Sequence, residues 1–130
     1  MSKLLSRAKV AFENAEHNYG KISIDDCYLD ACCYNLQQSI EFSLKFLVEM
    51  TGFEYAENHD IRANLNILNR TDYHVSYEKE LRNFASTLYS WEVESRYKDS
   101  FVAVIEDVEE IFVIAKALIE ESEAKIYIVK

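Results

Sequence analysis

The chain has no proline, and only two glycines, Gly20 and Gly52, in 130 residues. That scarcity excludes phosphate-cradling glycine loops, dinucleotide fingerprints and hydrolase nucleophile elbows, each of which needs glycines at fixed spacing. Positive charge is also short. Fourteen Lys and Arg stand against 23 Asp and Glu, a net charge of −9 spread along the chain without an acidic tail. A broad, non-specific DNA-binding face needs clustered cations and is not expected. No apolar run approaches the roughly 20 residues of a membrane span. The opening MSKLLSRAKVAF has no uninterrupted apolar stretch of the kind a secretion signal carries, so the expected location is the cytoplasm. The three cysteines, Cys27, Cys32 and Cys33, are odd in number and fall within seven positions. They fit neither a disulfide framework nor a paired Cys-x-x-Cys zinc pattern, which leaves small apolar packing residues. Di-iron bundles use Glu-x-x-His pairs. Here the residues three before His17, His59 and His74 are Asn14, Ala56 and Thr71. No metal and no cofactor is expected.

What the chain does have is apolar residues at helical spacing. Their share is 49%, with nine Tyr and seven Phe, enough to bury a core and to exclude disorder. The length suits a single domain over residues 1–130. A first helix is expected from Ser2, as N-cap, to Tyr19, with Leu4, Ala8, Ala11, Phe12 and Ala15 inward. A longer one follows from an Asp25 or Asp26 cap to Met50, with Leu29, Cys33, Leu36, Ile40, Leu44 and Leu47 as its stripe. Gly20 and Gly52 then read as left-handed helix ends. A short third helix begins at Asn58 or His59 and ends near Asn69, with Ile61, Leu65 and Leu68 inward. A fourth starts at Ser76 and carries Tyr77, Leu81, Phe84, Leu88 and Trp91 as one stripe. The last, after Asp99 and Ser100, presents Phe101, Val104, Ile105, Val108, Ile111, Phe112, Ala115, Leu118 and Ile119. Such a face is core. The tail KIYIVK, residues 125–130, alternates apolar and polar residues and suits either an extended dimer contact or a frayed helical turn. The fold class is all-α, an antiparallel up-and-down bundle of four or five helices with one short member.

Polar residues at helical spacing stand beside this core pattern. Gln38, Glu41 and Lys45 lie at i, i+3 and i+7 next to the apolar stripe of the second helix. Glu41 and Lys45 read equally as a solvated i,i+4 ion pair. His59 and Asp60 could serve only to start a helix, where an acidic group favours the positive dipole end. Arg96 and Tyr97 precede the last helix. An Arg there is usually on the surface, but its planar fork also suits a phosphate.

Taken in order, LQQSIEFSLKFL, HDIRANL and SRYKDSF resemble the HEPN family, small helical bundles often encoded beside minimal nucleotidyltransferases. The resemblance covers nearly the whole chain. It implies a HEPN-like bundle, usually a homodimer, with a polar cleft that Gln38, Glu41 and Lys45 line or brace. Arg96 would contact phosphate there, and His59, Asp60 and Tyr97 would complete a site for a nucleotide or an RNA end. The chain also departs from the family's ribonucleases, which resemble one another in an Arg, four to six variable residues and a His. Counted from Arg96, the positions for that His hold Phe101, Val102 and Ala103, and Arg70 to His74 leaves only three residues between. The His-x-Tyr of toxin members falls on Phe101 and Ala103. RNA cleavage by general acid and base needs a group titrating near neutrality, which this segment lacks. The expectation is a non-catalytic module, with no catalytic residue, that binds a nucleotide, RNA or a nucleotidyltransferase partner as a homodimer. The alternatives are a metal-independent, toxin-like endoribonuclease with His59 or His74 in place of the lost His, and a structural, antitoxin-like or scaffolding dimer.

Overall fold

The computed structural model describes residues 2–129, with side chains through Ile126. Helix α1, Leu4–Tyr19, and helix α2, Cys27–Met50, form a hairpin. Leu4, Ala8, Ala11 and Ala15 are the buried stripe of α1. Three of these four are Ala, so the helix backbones approach closely, and the Ser39 hydroxyl of α2 donates 2.9 Å to the Ala8 carbonyl. The Ser2 hydroxyl accepts from the Leu4 amide at 3.1 Å, although the residue before the first helical turn is Lys3. Gly20 does not take the left-handed conformation expected of it. It has φ −65° and continues right-handed into a turn, whereas Gly52 does take it, with φ +87°.

Helix α2 is the centre of the molecule and touches α1, α3, α5 and α6. Leu36, Ile40, Leu44 and Leu47 are buried along it, as the steps of three and four predict. Cys32 and Cys33 are fully buried packing residues. Burial pushes the Cys32 thiol up to about 12 and that of Cys33 higher still. Cys27 departs from this reading. It is exposed at the first turn of α2, where its amide donates 2.8 Å to Asp25.

Helix α3, Ile61–Asn69, starts later than Asn58 or His59, because Asp60 is its N-cap and accepts from the Arg62 amide at 3.0 Å. Ile61, Leu65 and Leu68 are buried as expected. The single helix expected from Ser76 is two, α4, Glu78–Asn83, and α5, Ala85–Glu94. Phe84 breaks it at φ −90°, ψ 0°, and Tyr77, left-handed at φ +61°, is exposed instead of inward. Leu81, Leu88 and Trp91 stay buried. Helix α6, Ile105–Val129, begins after a non-helical linker in which Phe101 is partly buried and Val104 exposed. Ile114 joins the predicted face of Val108, Ile111, Ala115, Leu118 and Ile119. The helix runs through residues 125–129, so that stretch is helical and not extended. Lys130 and the side chains from Tyr127 lie outside the described residues. Among the described residues there is no strand, and no helix is long and apolar enough to cross a membrane.

Candidate ligand site on the α2, α3 and α5 faces

Helix α2 turns one polar line toward α5 and the start of α3. Gln37, Glu41 and Lys45 follow one another at intervals of four, and all three are buried. The Glu41 carboxylate is held on both oxygens. Its Oε1 accepts from Gln37 Nε2 at 2.7 Å and faces His59 Nδ1 at 2.9 Å. Its Oε2 accepts from Lys45 Nζ at 3.1 Å. Lys45 Nζ also lies 5.2 Å from the centre of the Tyr55 ring. A buried ion pair is tolerated only when further hydrogen bonds replace the lost water. Gln37 and His59 do that here for Glu41, and the Tyr55 ring adds a cation–π contact to Lys45.

His59 reaches this line from the loop before α3, and two neighbours fix that loop. Asn64 clamps the backbone of Ala56 from α3, accepting at 2.8 Å and donating at 3.3 Å. Asp60 caps α3 and grips the Arg62 guanidinium at 3.0 and 2.7 Å. That hydrogen bonding holds the Asp60 carboxyl below the ordinary range, against a smaller opposing effect of burial. Half of the His59 side chain is exposed (52%), while Glu41 beside it is buried.

The second carboxylate comes from α5. Glu92 follows Leu88 by four positions and Trp91 by one, so it occupies a core position, 5% exposed. Its Oε1 lies 3.3 Å from Arg96 Nη2 and 3.8 Å from His59 Nε2. Its Oε2 is buried without a hydrogen-bond partner. Burial holds the Glu92 carboxyl above the ordinary range, and the charges of His59 and Arg96 oppose that.

Arg96, one turn past Glu92, lays its guanidinium 4.0 Å from the centre of the Tyr34 ring and 4.9 Å from that of Tyr97. It borders an open concavity of about 410 Å³, together with Cys27, Asp30, Tyr97, Lys98 and Asp99. Tyr97 is 74% exposed, so one of its faces is free to stack.

Of the residues singled out in the sequence, Glu41, Lys45, His59, Arg96 and Tyr97 come together. Gln38 does not. Each residue turns a helix by about 100°, and Gln37 is the one that falls beneath Glu41. Gln38 instead borders a groove of about 400 Å³ with Lys3, Arg7, Asn14, Asn35 and Phe42. Asp60 faces Arg62 and acts on the site through the loop that carries His59. Tyr34 and Glu92 are not among the residues the sequence points to, and Gln37 is there only as half of the Gln-Gln pair of LQQSIEFSLKFL. The signal for Glu92 was its position on the stripe of Leu88 and Trp91, where an acid is out of place. Glu41, His59 and Glu92 also offer three ligand atoms within 4.8 Å of one another.

A family model described as the HEPN domain matches residues 1–125. The chain belongs to the HEPN family. No curated protein and no solved structure matches it. In this HEPN domain the match spans every element that builds the site, from Tyr34 on α2 to Arg96 after α5. Phe101 and Val102 stand in the linker before α6, Val102 84% exposed, and neither carries a group that moves a proton.

Proposed function

We propose that this HEPN domain is a non-catalytic binding module for a phosphate-bearing ligand, a nucleotide or an RNA end, which it takes in the concavity beside Arg96. The observation that carries this reading is the Arg96 guanidinium stacked on Tyr34 at the rim of that concavity, with the exposed Tyr97 ring beside it. A planar guanidinium already held against a ring is pre-organised for bidentate contact with phosphate. An exposed aromatic face beside it accepts a base by stacking. Lys45 adds positive charge behind Arg96, and Glu41 holds both Lys45 and the His59 ring in place. The test is the affinity of a mononucleotide and of a short 5′-phosphorylated RNA, in a chelating buffer, for wild type, Arg96→Ala and Tyr97→Ala. Loss in both variants supports the reading. Equal binding in all three overturns it.

The module acts as a homodimer, and a minimal nucleotidyltransferase is its partner, in keeping with the family. Exposed Val102 and Val104, which border a groove of about 550 Å³ beside α5, are apolar surface such a contact would cover. Light scattering that finds only the 15.2 kDa species at micromolar concentration excludes the dimer. A second reading, an endoribonuclease, draws on the Glu41–His59 contact of 2.9 Å. A carboxylate that orients a half-exposed imidazole is the arrangement of a general base. A third, an antitoxin-like scaffolding dimer, is what remains if no ligand binds.

A further inference from the structure

The contacts of His59 are unequal on its two nitrogens. Nδ1 lies 2.9 Å from Glu41 Oε1. A carboxylate is only an acceptor, so the proton of the neutral imidazole sits on Nδ1 and the lone pair on Nε2. Glu92 Oε1 lies 3.8 Å from that nitrogen. Two acceptors then face one another, and the donor on Glu92 Oε1 comes from elsewhere, Arg96 Nη2 at a long 3.3 Å. The distance between His59 and Glu92 is too long for a hydrogen bond, even through an imidazolium proton. The other oxygen of Glu92 is buried and has no donor, and its side chain is only 7% exposed. Both observations ask for a positive centre between His59 and Glu92.

We propose that His59 Nε2 and the Glu92 carboxylate hold a divalent transition-metal ion of the zinc type, with Glu41 as the carboxylate that orients His59. Metal to nitrogen and metal to oxygen bonds of roughly 2.0–2.2 Å place two ligands on one ion roughly 3.4–4 Å apart, and the observed span falls in that range. A metal-bound imidazole regularly gives its other N–H to a carboxylate, which fixes its tautomer and orientation. Glu41 provides that contact and is itself tied by Gln37 and Lys45. One nitrogen with carboxylate oxygen selects a zinc-like ion over magnesium, which prefers an all-oxygen octahedron. The remaining coordination positions face the open side of His59 and take water or an anionic oxygen. Arg96 is the competing cation. Its 3.3 Å contact with Glu92 Oε1 is long for a charge-assisted bond, and it leaves Oε2 free. Positive charge in excess of the two carboxylates favours an anion at the same mouth. The metal site nevertheless stands apart from the phosphate reading, because it needs no nucleotide.

The experiment titrates metal-free wild-type protein with Co2+, read by its visible ligand-field bands, and then displaces it with Zn2+, in the absence of nucleotide. One saturable equivalent per chain is expected, unaffected by millimolar Mg2+. His59→Ala and Glu92→Gln should each weaken it at least 10-fold, Glu41→Gln by about 10-fold, and His74→Ala not at all. Zn2+ should raise the thermal midpoint of wild type but not of Glu92→Gln. His59 is exposed and in a loop, so His59→Ala decides the matter even if Glu92→Gln fails to fold. No saturable binding by wild type, or binding that His59→Ala leaves unchanged, overturns the proposal. Nucleotide affinity measured in chelator judges the phosphate reading separately.

Discussion

The guanidinium carbon of Arg96 lies 4.0 Å from the centre of the Tyr34 ring, while its Nη2 touches the carboxylate and the backbone carbonyl of Glu92. One side chain thus joins α2 to the end of α5. Arg96→Ala is therefore expected to lower stability by about 1–2 kcal/mol, through a lost cation–π contact and a buried carboxylate left with fewer donors. It should cost binding of a phosphorylated ligand about 1.5–3 kcal/mol more. Arg96→Lys should restore only part of each, because an ammonium cannot stack as a plane. Urea denaturation and nucleotide affinity on the same three proteins check both. Full recovery by Lys would mean that charge alone matters.

Glu41 and Lys45 are buried, 4% and 7% exposed, and a single replacement strands the other as an unpaired charge. Glu41→Met and Lys45→Met are each expected to cost about 3 kcal/mol or more. The double variant should cost at least about 1 kcal/mol less than their sum, because neither charge is then left alone. Strict additivity in denaturant unfolding would show that the two residues act independently.

The glutamines divide in the same way. Gln37 donates to Glu41 from a buried position, so Gln37→Ala should destabilise by about 1–2 kcal/mol. Gln38→Ala should fall within about 0.5 kcal/mol of wild type. Comparable losses at both positions would contradict the observed orientation of α2.

Much of the fold was legible because helical periodicity survives in α1, α2, α3 and α6, whose buried residues recur in steps of three and four. The break at Phe84 was not, since Leu81, Leu88 and Trp91 keep one inward phase across it. Gly20 misled because a helix end can tighten right-handed through its own turn bonds. Within the site, Glu41, Lys45, His59 and Arg96 could be found from their order along the chain. Glu92 left only the trace of an acid on the stripe of Leu88 and Trp91, because His59 and Glu41 lie 33 and 51 positions back and only packing brings the three together. Choosing between Gln37 and Gln38 needed the helix rotation to within about 100°, finer than the edge of an apolar stripe defines.

The Glu92 carboxyl has a pH signature. Burial raises it above the ordinary value of 4.5, so in that window the folded state holds a proton that the unfolded state has released. The contribution to stability is fully present below 4.5 and is lost as pH rises through the folded value. Glu92→Gln abolishes the titration. The stability of Glu92→Gln minus that of wild type should therefore grow as pH climbs from about 4 to neutrality. Using the difference cancels the opposite trend from Asp25, Asp60, Glu78 and Glu94, whose carboxyls are held low. A difference that is flat, or that falls with pH, would show that Arg96 and His59 outweigh burial.

RNA cleavage separates the binding module from the nuclease reading most sharply. Metal-independent cleavage of RNA needs one group to take the 2′-hydroxyl proton and another to protonate the leaving oxygen. Phe101, Val102 and Ala103 can do neither, and His59, the one imidazole near Arg96, has Nδ1 on Glu41 and Nε2 toward Glu92. At 3.8 Å that second contact is no hydrogen bond, so the imidazole could serve as one of the two groups, but the segment after Arg96 supplies no second one. The purified protein is accordingly expected to leave single-stranded RNA intact at neutral pH, in chelator, over hours at micromolar concentration. His59→Ala should then change neither this result nor the fold, since its side chain is half exposed. Cleavage that survives purification and disappears in both His59→Ala and Arg96→Ala would reverse the assignment and make His59 the base and Arg96 the phosphate clamp. Cleavage that persists in both variants would point to a contaminant and leave the binding reading in place.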